Sequence, residues 1–104
     1  MELKYMKNIP GEEVLDLATL VEVTPGQVVS RTLAQNDHVS ITLFAFDRGE
    51  EISTHASGGD AMVTVLEGTG KFTVDGTPHL VRKGQCLVMP AGKPHAVFAQ
   101  EAFK

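Results

Sequence analysis

Long apolar runs are missing from this 104-residue sequence, which has no tryptophan and only one cysteine, Cys86. One cysteine cannot form a disulfide within the chain or a cluster of thiolate metal ligands. A membrane span needs about 20 consecutive apolar residues, and no stretch approaches that length. The first residues also lack a positively charged segment followed by an apolar one. These absences predict a reduced, cytoplasmic protein that has no membrane partner.

Basic residues are few and scattered. Nine lysines and arginines stand against 13 acidic residues, which gives a formal net charge of -4. Proteins that bind nucleic acid directly need a positive surface, often with aromatic side chains beside it. The composition therefore excludes nucleic acid as an expected partner. The length leaves room for one domain, which we assign to residues 1–104.

Ten glycines and five prolines are spread along the chain and separate many short apolar segments. Such frequent breaks favour an all-β domain built as a small antiparallel barrel or sandwich. The pair Asp75-Gly76 predicts a two-residue hairpin. The predicted strands are residues 27–34, 40–46, 62–67, 71–74, 79–81, 86–89 and 95–99.

Three segments carry more specific expectations. Residues 40–46 have apolar side chains at both odd and even positions, which predicts that both faces of this strand are covered. Residues 12–23 have helical spacing but equally fit a short edge strand. Residues 101–104 resemble the beginning of a strand, so that either the chain is clipped or its last strand is short.

The candidate chemistry rests on histidines, because the sequence has no nucleophile elbow, phosphate loop or HExxH motif. His38 lies in a predicted turn, where a solvated side chain is expected. His79 lies on a predicted strand and is more often packed or exposed than a ligand. Cys86 is interpreted as a buried small apolar residue of a strand.

His55 and His95 differ from the other histidines because each follows a glycine-containing turn at a short and similar distance along the sequence. Residues 49–68 contain Gly49-x5-His55 and a later glycine, and residues 84–99 contain G-x5-P-x-G-x2-H, which ends at His95. These segments resemble the first and second motifs of the cupin superfamily. The second motif, with its PAGKPH core, is the more specific.

The resemblance implies a jelly roll, or double-stranded β-helix, whose central pocket in many members holds a divalent metal on three histidines and one glutamate. Only His55 and His95 match ligand positions here, and we expect them to face each other across the interior of the barrel. Ser57 stands at the second histidine position and Ala61 at the glutamate position. Two imidazoles are few donors for zinc, iron, manganese or nickel. Any bound divalent metal is therefore expected to be held weakly.

Asp60 is the remaining candidate for a third metal ligand. In a regular strand its side chain faces away from the pocket, whereas a bulge at Gly58-Gly59 would turn it inward. A polar turn over residues 58–60 is the favoured interpretation.

Three functions remain open. The first is a stand-alone barrel that binds a small organic molecule, and the second is a metal-dependent dioxygenase, isomerase or lyase that uses His55 and His95. The third is a small-molecule sensor module. The predicted pocket residues are His55, Ser57, Ala61, Val63, His95 and Val97.

A homodimer is expected, because a domain of this size buries a limited core by itself. Its predicted contact uses Leu20, Val21, Val28, Val29 and the outward side chains of residues 40–46. A stable two-fold pair buries about 1,500 Å² or more in total.

Overall fold

The structure, a computed structural model, describes residues 3–104. Residues 1 and 2 of the predicted domain lie outside the described part. Within that part, one turn of 3-10 helix at Leu17–Leu20 precedes eight strands. The all-β prediction is confirmed. The strands are β1 Val28–Gln35, β2 Ser40–Phe46, β3 Glu51–His55, β4 Ala61–Thr64, β5 Thr69–Val74, β6 Thr77–Arg82, β7 Cys86–Met89 and β8 His95–Phe98.

The strands form three antiparallel sheets. Four strands hydrogen-bond in the order β3-β8-β5-β6, while β1 pairs with β2 and β4 pairs with β7. The predicted hairpin joins β5 to β6, and Asp75 and Gly76 have φ values of 49° and 82°. Two successive positive φ angles are those of a type I′ turn, whose twist matches that of paired strands.

Two apolar clusters lie on the two faces of β2. Phe46 belongs to the main core between the sheets, with Phe72, Val97 and Phe103. On the other face, Leu43 packs in a second cluster. The expectation that both faces of this strand are covered is wrong for Ile41 and Phe44, whose side chains are 43% and 39% exposed.

Residues 12–23 adopt neither of the two expected conformations over their length. The 3-10 turn is the only regular element there, and Val14, part of the apparent helical stripe, is fully exposed. A helical stripe without a surface to pack against gains no stability from burial. Val21, by contrast, is buried inside the second cluster.

The strand β3 had no sequence prediction of its own. Ile52 is its only apolar residue, so hydrophobic alternation could not reveal it. Pairing with β8 defines this strand. In residues 3–104 no helix is long and apolar enough to cross a membrane.

Candidate functional site

His55 and His95 are neighbours on paired strands rather than residues on opposite walls of the barrel. They are register partners in the β3–β8 pair. Their ring centroids are 4.3 Å apart, and the ring planes meet at 67°. The antiparallel pairing therefore brings two imidazoles from distant parts of the sequence into edge-to-face contact.

A β-bulge in β3 directs His55 to the inner face. Ile52 pairs with Val97 and His55 pairs with His95, so three steps along β3 correspond to two steps along β8. Ile52 and His55 would point to opposite faces of a regular strand. The extra residue cancels that alternation, and both side chains line the same cavity.

Each imidazole is oriented by a backbone carbonyl two residues earlier. His55 Nδ1 lies 3.0 Å from the Ser53 carbonyl oxygen, and His95 Nδ1 lies 3.3 Å from that of Lys93. A carbonyl oxygen only accepts, so Nδ1 carries the proton in both hydrogen bonds. Nε2 of each uncharged ring is then left with its lone pair.

The two rings differ in burial. His55 is exposed at the mouth of the cavity, whereas His95 is only 5% exposed. No side-chain nitrogen or oxygen of the described residues is both buried and without a hydrogen-bond partner. Because Nε2 of His95 makes no hydrogen bond within residues 3–104, it must remain reachable from the cavity.

The cavity has a volume of about 480 Å³, which is in the range of small-molecule sites. Aromatic and aliphatic side chains form most of its wall, and its polar part consists of the two imidazoles, Asp60, Lys104 and a few hydroxyl groups. The main apolar lining residues are Phe44, Phe46, Ile52, Phe72, Met89, Val97 and Phe103.

Five of the six predicted pocket residues line this cavity: His55, Ala61, Val63, His95 and Val97. Ser57 does not belong to the lining. Its side chain is exposed, and its hydroxyl donates to the Gly59 carbonyl oxygen at 2.8 Å. The hydroxyl is therefore used within its own loop.

Asp60 lines the cavity but also has a structural partner. Its Oδ1 accepts a hydrogen bond from the Ala91 N–H at 2.8 Å. A second bond runs from the Gly92 N–H to the Ser57 carbonyl oxygen at 2.9 Å. Together these bonds join the β3–β4 loop to the β7–β8 loop.

The donor set of the described residues is incomplete for a resident metal, because it consists of two imidazoles. Structural and catalytic metal sites use three or four protein donors. No group of three His, Cys, Asp or Glu side chains converges on one position in residues 3–104. His38, His79 and Cys86 are exposed and lie outside the cavity lining. The prediction that Cys86 is buried is therefore wrong, because its side chain lies on the outer face of β7.

Sequence reasoning missed the aromatic wall of the site. Phe44 and Phe46 share a face of β2, a relationship that the alternation of that strand already contains. Phe103 gave no signal, because only the completed fold brings it against Phe46, with ring centroids 4.6 Å apart.

A family model described as "Cupin domain" matches residues 42–102. A conserved protein of unknown function from Streptococcus pyogenes is 48% identical, and the match covers 97% of this chain and 89% of that chain with a TM-score of 0.94. A cupin superfamily protein from Desulfitobacterium hafniense is 37% identical, with 96% and 92% covered and a TM-score of 0.90.

A salicylate 1,2-dioxygenase from Pseudaminobacter salicylatoxidans is 22% identical over 78% of this chain and 25% of that chain, with a TM-score of 0.64. At that identity the likeness concerns the fold alone. Comparison with curated proteins gave no match.

Proposed function

The chain belongs to the cupin family, and from its site we propose that it binds a small organic molecule through His55 and His95. The observation that carries this proposal is the pair of adjacent imidazoles, each anchored through Nδ1 and each with Nε2 unused. Two acceptors at the end of an apolar cavity are suited to a ligand that has an apolar body and a polar end.

The tautomer indicates the chemistry of the polar end. An Nε2 lone pair accepts a hydrogen bond from an O–H or N–H group. The two N–H groups of a primary amide can therefore donate to both rings, and a hydroxyl group can donate to one of them. The apolar body would lie against Phe46, Phe72 and Val97, whose burial supplies most of the binding free energy.

A second candidate is a metal-dependent enzyme, and the same pair of Nε2 atoms favours it. Two imidazoles supply half of a four-donor zinc site. Water or the substrate would have to supply the remaining donors. On this alternative the protein contributes two ligands and the apolar cavity, and the metal would act as a Lewis acid or an oxygen-binding centre.

Two-dimensional NMR of the imidazole resonances during titration with phenol tests the first proposal. Phenol combines one hydroxyl donor with a flat apolar ring. We expect the resonances of His55 and His95 to shift together, while His38, which is exposed in a turn, serves as the internal control. Shifts at His38 alone, or at no histidine, would contradict the proposal.

Metal analysis of the purified protein separates the two candidates. Binding of an organic ligand through the imidazoles requires no metal. Stoichiometric metal that survives dialysis against a chelator would favour the enzyme instead.

We also propose a homodimer in a reducing compartment such as the cytoplasm. Val39 and Ile41 lie on the outward face of the β2 region and are 53% and 43% exposed, which supports an apolar contact there. Val21 is buried in the chain's own second cluster and is removed from the proposed contact. Light scattering that shows only monomer at micromolar concentration would refute the dimer.

The single exposed thiol, Cys86, is compatible with a reducing compartment.

A further inference from the structure

The cavity contains one carboxylate whose charge no partner balances in the described part of the chain. Two residues with charged side chains line the cavity, Asp60 and Lys104. The ammonium group of Lys104 lies 3.6 Å from the Glu67 carboxylate and donates to the Ala18 carbonyl oxygen at 2.9 Å. Asp60 forms no salt bridge within residues 3–104. The unbalanced charge of the cavity lining is therefore negative.

The Asp60 carboxylate is held in position, and only one of its oxygens is used. Oδ1 accepts from the Ala91 N–H at 2.8 Å, which orients the group. The bond from the Gly92 N–H to the Ser57 carbonyl oxygen holds the loop that carries it. Oδ2 takes part in no hydrogen bond of residues 3–104. Because the group is already ordered, a ligand that uses Oδ2 loses little free energy in fixing it.

The two imidazoles add acceptors rather than donors. Each ring donates through Nδ1 to a carbonyl oxygen, so its remaining nitrogen, Nε2, offers a lone pair. His95 is 5% exposed, and its Nε2 is open to the cavity. The hydroxyl groups in the lining can either donate or accept. The cavity thus offers three free acceptors, and its one ammonium group is already engaged.

These three acceptors do not converge on one point. In the part of the chain that the structure describes, no three His, Cys, Asp or Glu side chains are close enough to hold one metal ion. A cation whose charge and donors are spread over several atoms can reach acceptors that a single ion cannot. The formal net charge of the chain, -4, also attracts cations over a longer range.

We propose that the ligand of this cavity is an organic cation with a planar end of the amidinium or guanidinium type, and that Asp60 selects it. The proposal rests on the proposed function, because the same two Nε2 atoms bind the ligand. A planar end of this kind carries several N–H donors in a fixed fork, and its charge lies close to the Asp60 carboxylate. Hydrogen bonds with a charged partner are about twice as strong as neutral ones. A carboxylate ligand, by contrast, would meet lone pairs and a like charge.

Three ligands that share one phenyl ring test the proposal. Benzamidine is a cation, benzamide is a neutral molecule of nearly the same shape, and benzoate is an anion. Their affinities are measured by calorimetry in low salt, where charges are screened least, and at about pH 8, where an ordinary imidazole is uncharged. The imidazole resonances of His55 and His95 report binding at this site, with His38 as the reference.

On the unmodified chain we expect benzamidine to bind at least about tenfold more tightly than benzamide, and benzoate to bind more weakly than either. Added salt should reduce the advantage of benzamidine, because the Asp60 side chain is exposed at the cavity mouth. This comparison requires no substitution, so it does not depend on the folding of any variant.

Asp60→Asn isolates the contribution of the charge. Its side-chain oxygen can still accept from the Ala91 N–H, so the two loops stay joined while the charge is lost. We expect the advantage of benzamidine over benzamide to fall below about threefold, with little change for benzamide. Asp37→Asn is the matched control, because Asp37 is exposed, lies outside the cavity lining and changes the net charge equally. It should keep the full advantage.

Benzamidine that binds no more tightly than benzamide, or benzoate that binds most tightly, would overturn the proposal and leave the proposed function standing. A full advantage of benzamidine in Asp60→Asn would overturn the role of Asp60. If none of the three ligands shifts the resonances of His55 and His95, the proposed function itself is wrong, and the cationic ligand is rejected with it.

Discussion

The rings of Phe46 and Phe103 stack with centroids 4.6 Å apart and planes 8° from parallel, and the backbones of the same two residues form an antiparallel bridge. A single residue pair thus connects the end of the chain to β2 through both side chain and main chain. Phe72 meets Phe103 edge-on at 6.0 Å, which completes an aromatic cluster in the main core.

Phe103→Ala should be one of the most destabilising substitutions. Phe103 is 4% exposed, and removal of a buried phenyl ring costs about 3 to 5 kcal/mol. Phe98→Ala is the control, because the Phe98 side chain is 36% exposed on the outer face. Urea unfolding should show a loss of less than about 1.5 kcal/mol for the control. Equal losses for the two variants would contradict this account of the core.

Gly70→Ala should destabilise the same cluster by overpacking. A Cβ at Gly70 would lie 2.7 Å from Cε2 of both Phe72 and Phe103. Overpacking of a core usually costs about 1 to 3 kcal/mol. Gly58→Ala is the matched control, since its Cβ would meet nothing within 4 Å. Thermal unfolding should be unchanged for the control and shifted downward for Gly70→Ala.

Replacement of the two site histidines by alanine should have different effects on the free energy of unfolding. His95→Ala removes a buried ring and its bond to the Lys93 carbonyl, so we expect a loss of about 1 to 3 kcal/mol. His55 is exposed, and His55→Ala should stay within about 0.5 kcal/mol.

Both substitutions should weaken phenol binding, and His38→Ala should leave it unchanged. Phenol binding that survives His55→Ala would show that the cavity retains ligand without the imidazole pair.

Asp60 should act as a loop connection and not as a metal ligand. Asp60→Asn keeps an oxygen that can accept from the Ala91 N–H, whereas Asp60→Ala removes it at a cost of roughly 1 kcal/mol. Faster exchange of the Ala91 amide in the alanine variant alone is the expected result. Zinc affinity, measured by calorimetry, should be the same in both variants as in the unmodified chain, and a loss of affinity in both variants relative to that chain would identify Asp60 as a ligand.

The strands that the sequence revealed are those with apolar alternation or strong turn signals. Residues 40–46 and 86–89 were predicted with the bounds of β2 and β7, because glycines or polar turns flank both. The strand β3 was invisible, because its stability comes from pairing with β8 and from one apolar side chain. Strand pairing between distant segments leaves no local periodicity.

The site was predictable to a similar extent. The spacing of the glycines before them identified His55 and His95 as site residues. The alternation of side chains along a strand could not place them side by side, because the bulge between Ile52 and His55 depends on the register with β8. At Gly58-Gly59 the sequence offered a bulge only as the alternative to a polar turn, and it gave no signal for a bulge within β3. The anchoring of each Nδ1 by a carbonyl two residues earlier is likewise a property of the folded backbone.

Ala61→Glu should create a metal site from the two histidines. Ala61 lines the cavity, so a glutamate there can add a carboxylate to the two imidazoles. Three protein donors of this kind match known catalytic metal sites, and we expect zinc affinity to rise by at least about tenfold. A carboxylate placed against the apolar cavity wall should lower the melting temperature without metal, and saturating zinc should raise it again by mass action.

Two variants control this last experiment. Ala61→Gln has the same length without the charge, and it should leave zinc affinity near that of the unmodified chain. Ser57→His should also have little effect, because Ser57 lies outside the cavity lining in a loop that its hydroxyl bonds internally. If Ser57→His raised zinc affinity as much as Ala61→Glu, position 57 would have to reach the imidazole pair, and the placement of the β3–β4 loop described above would be wrong.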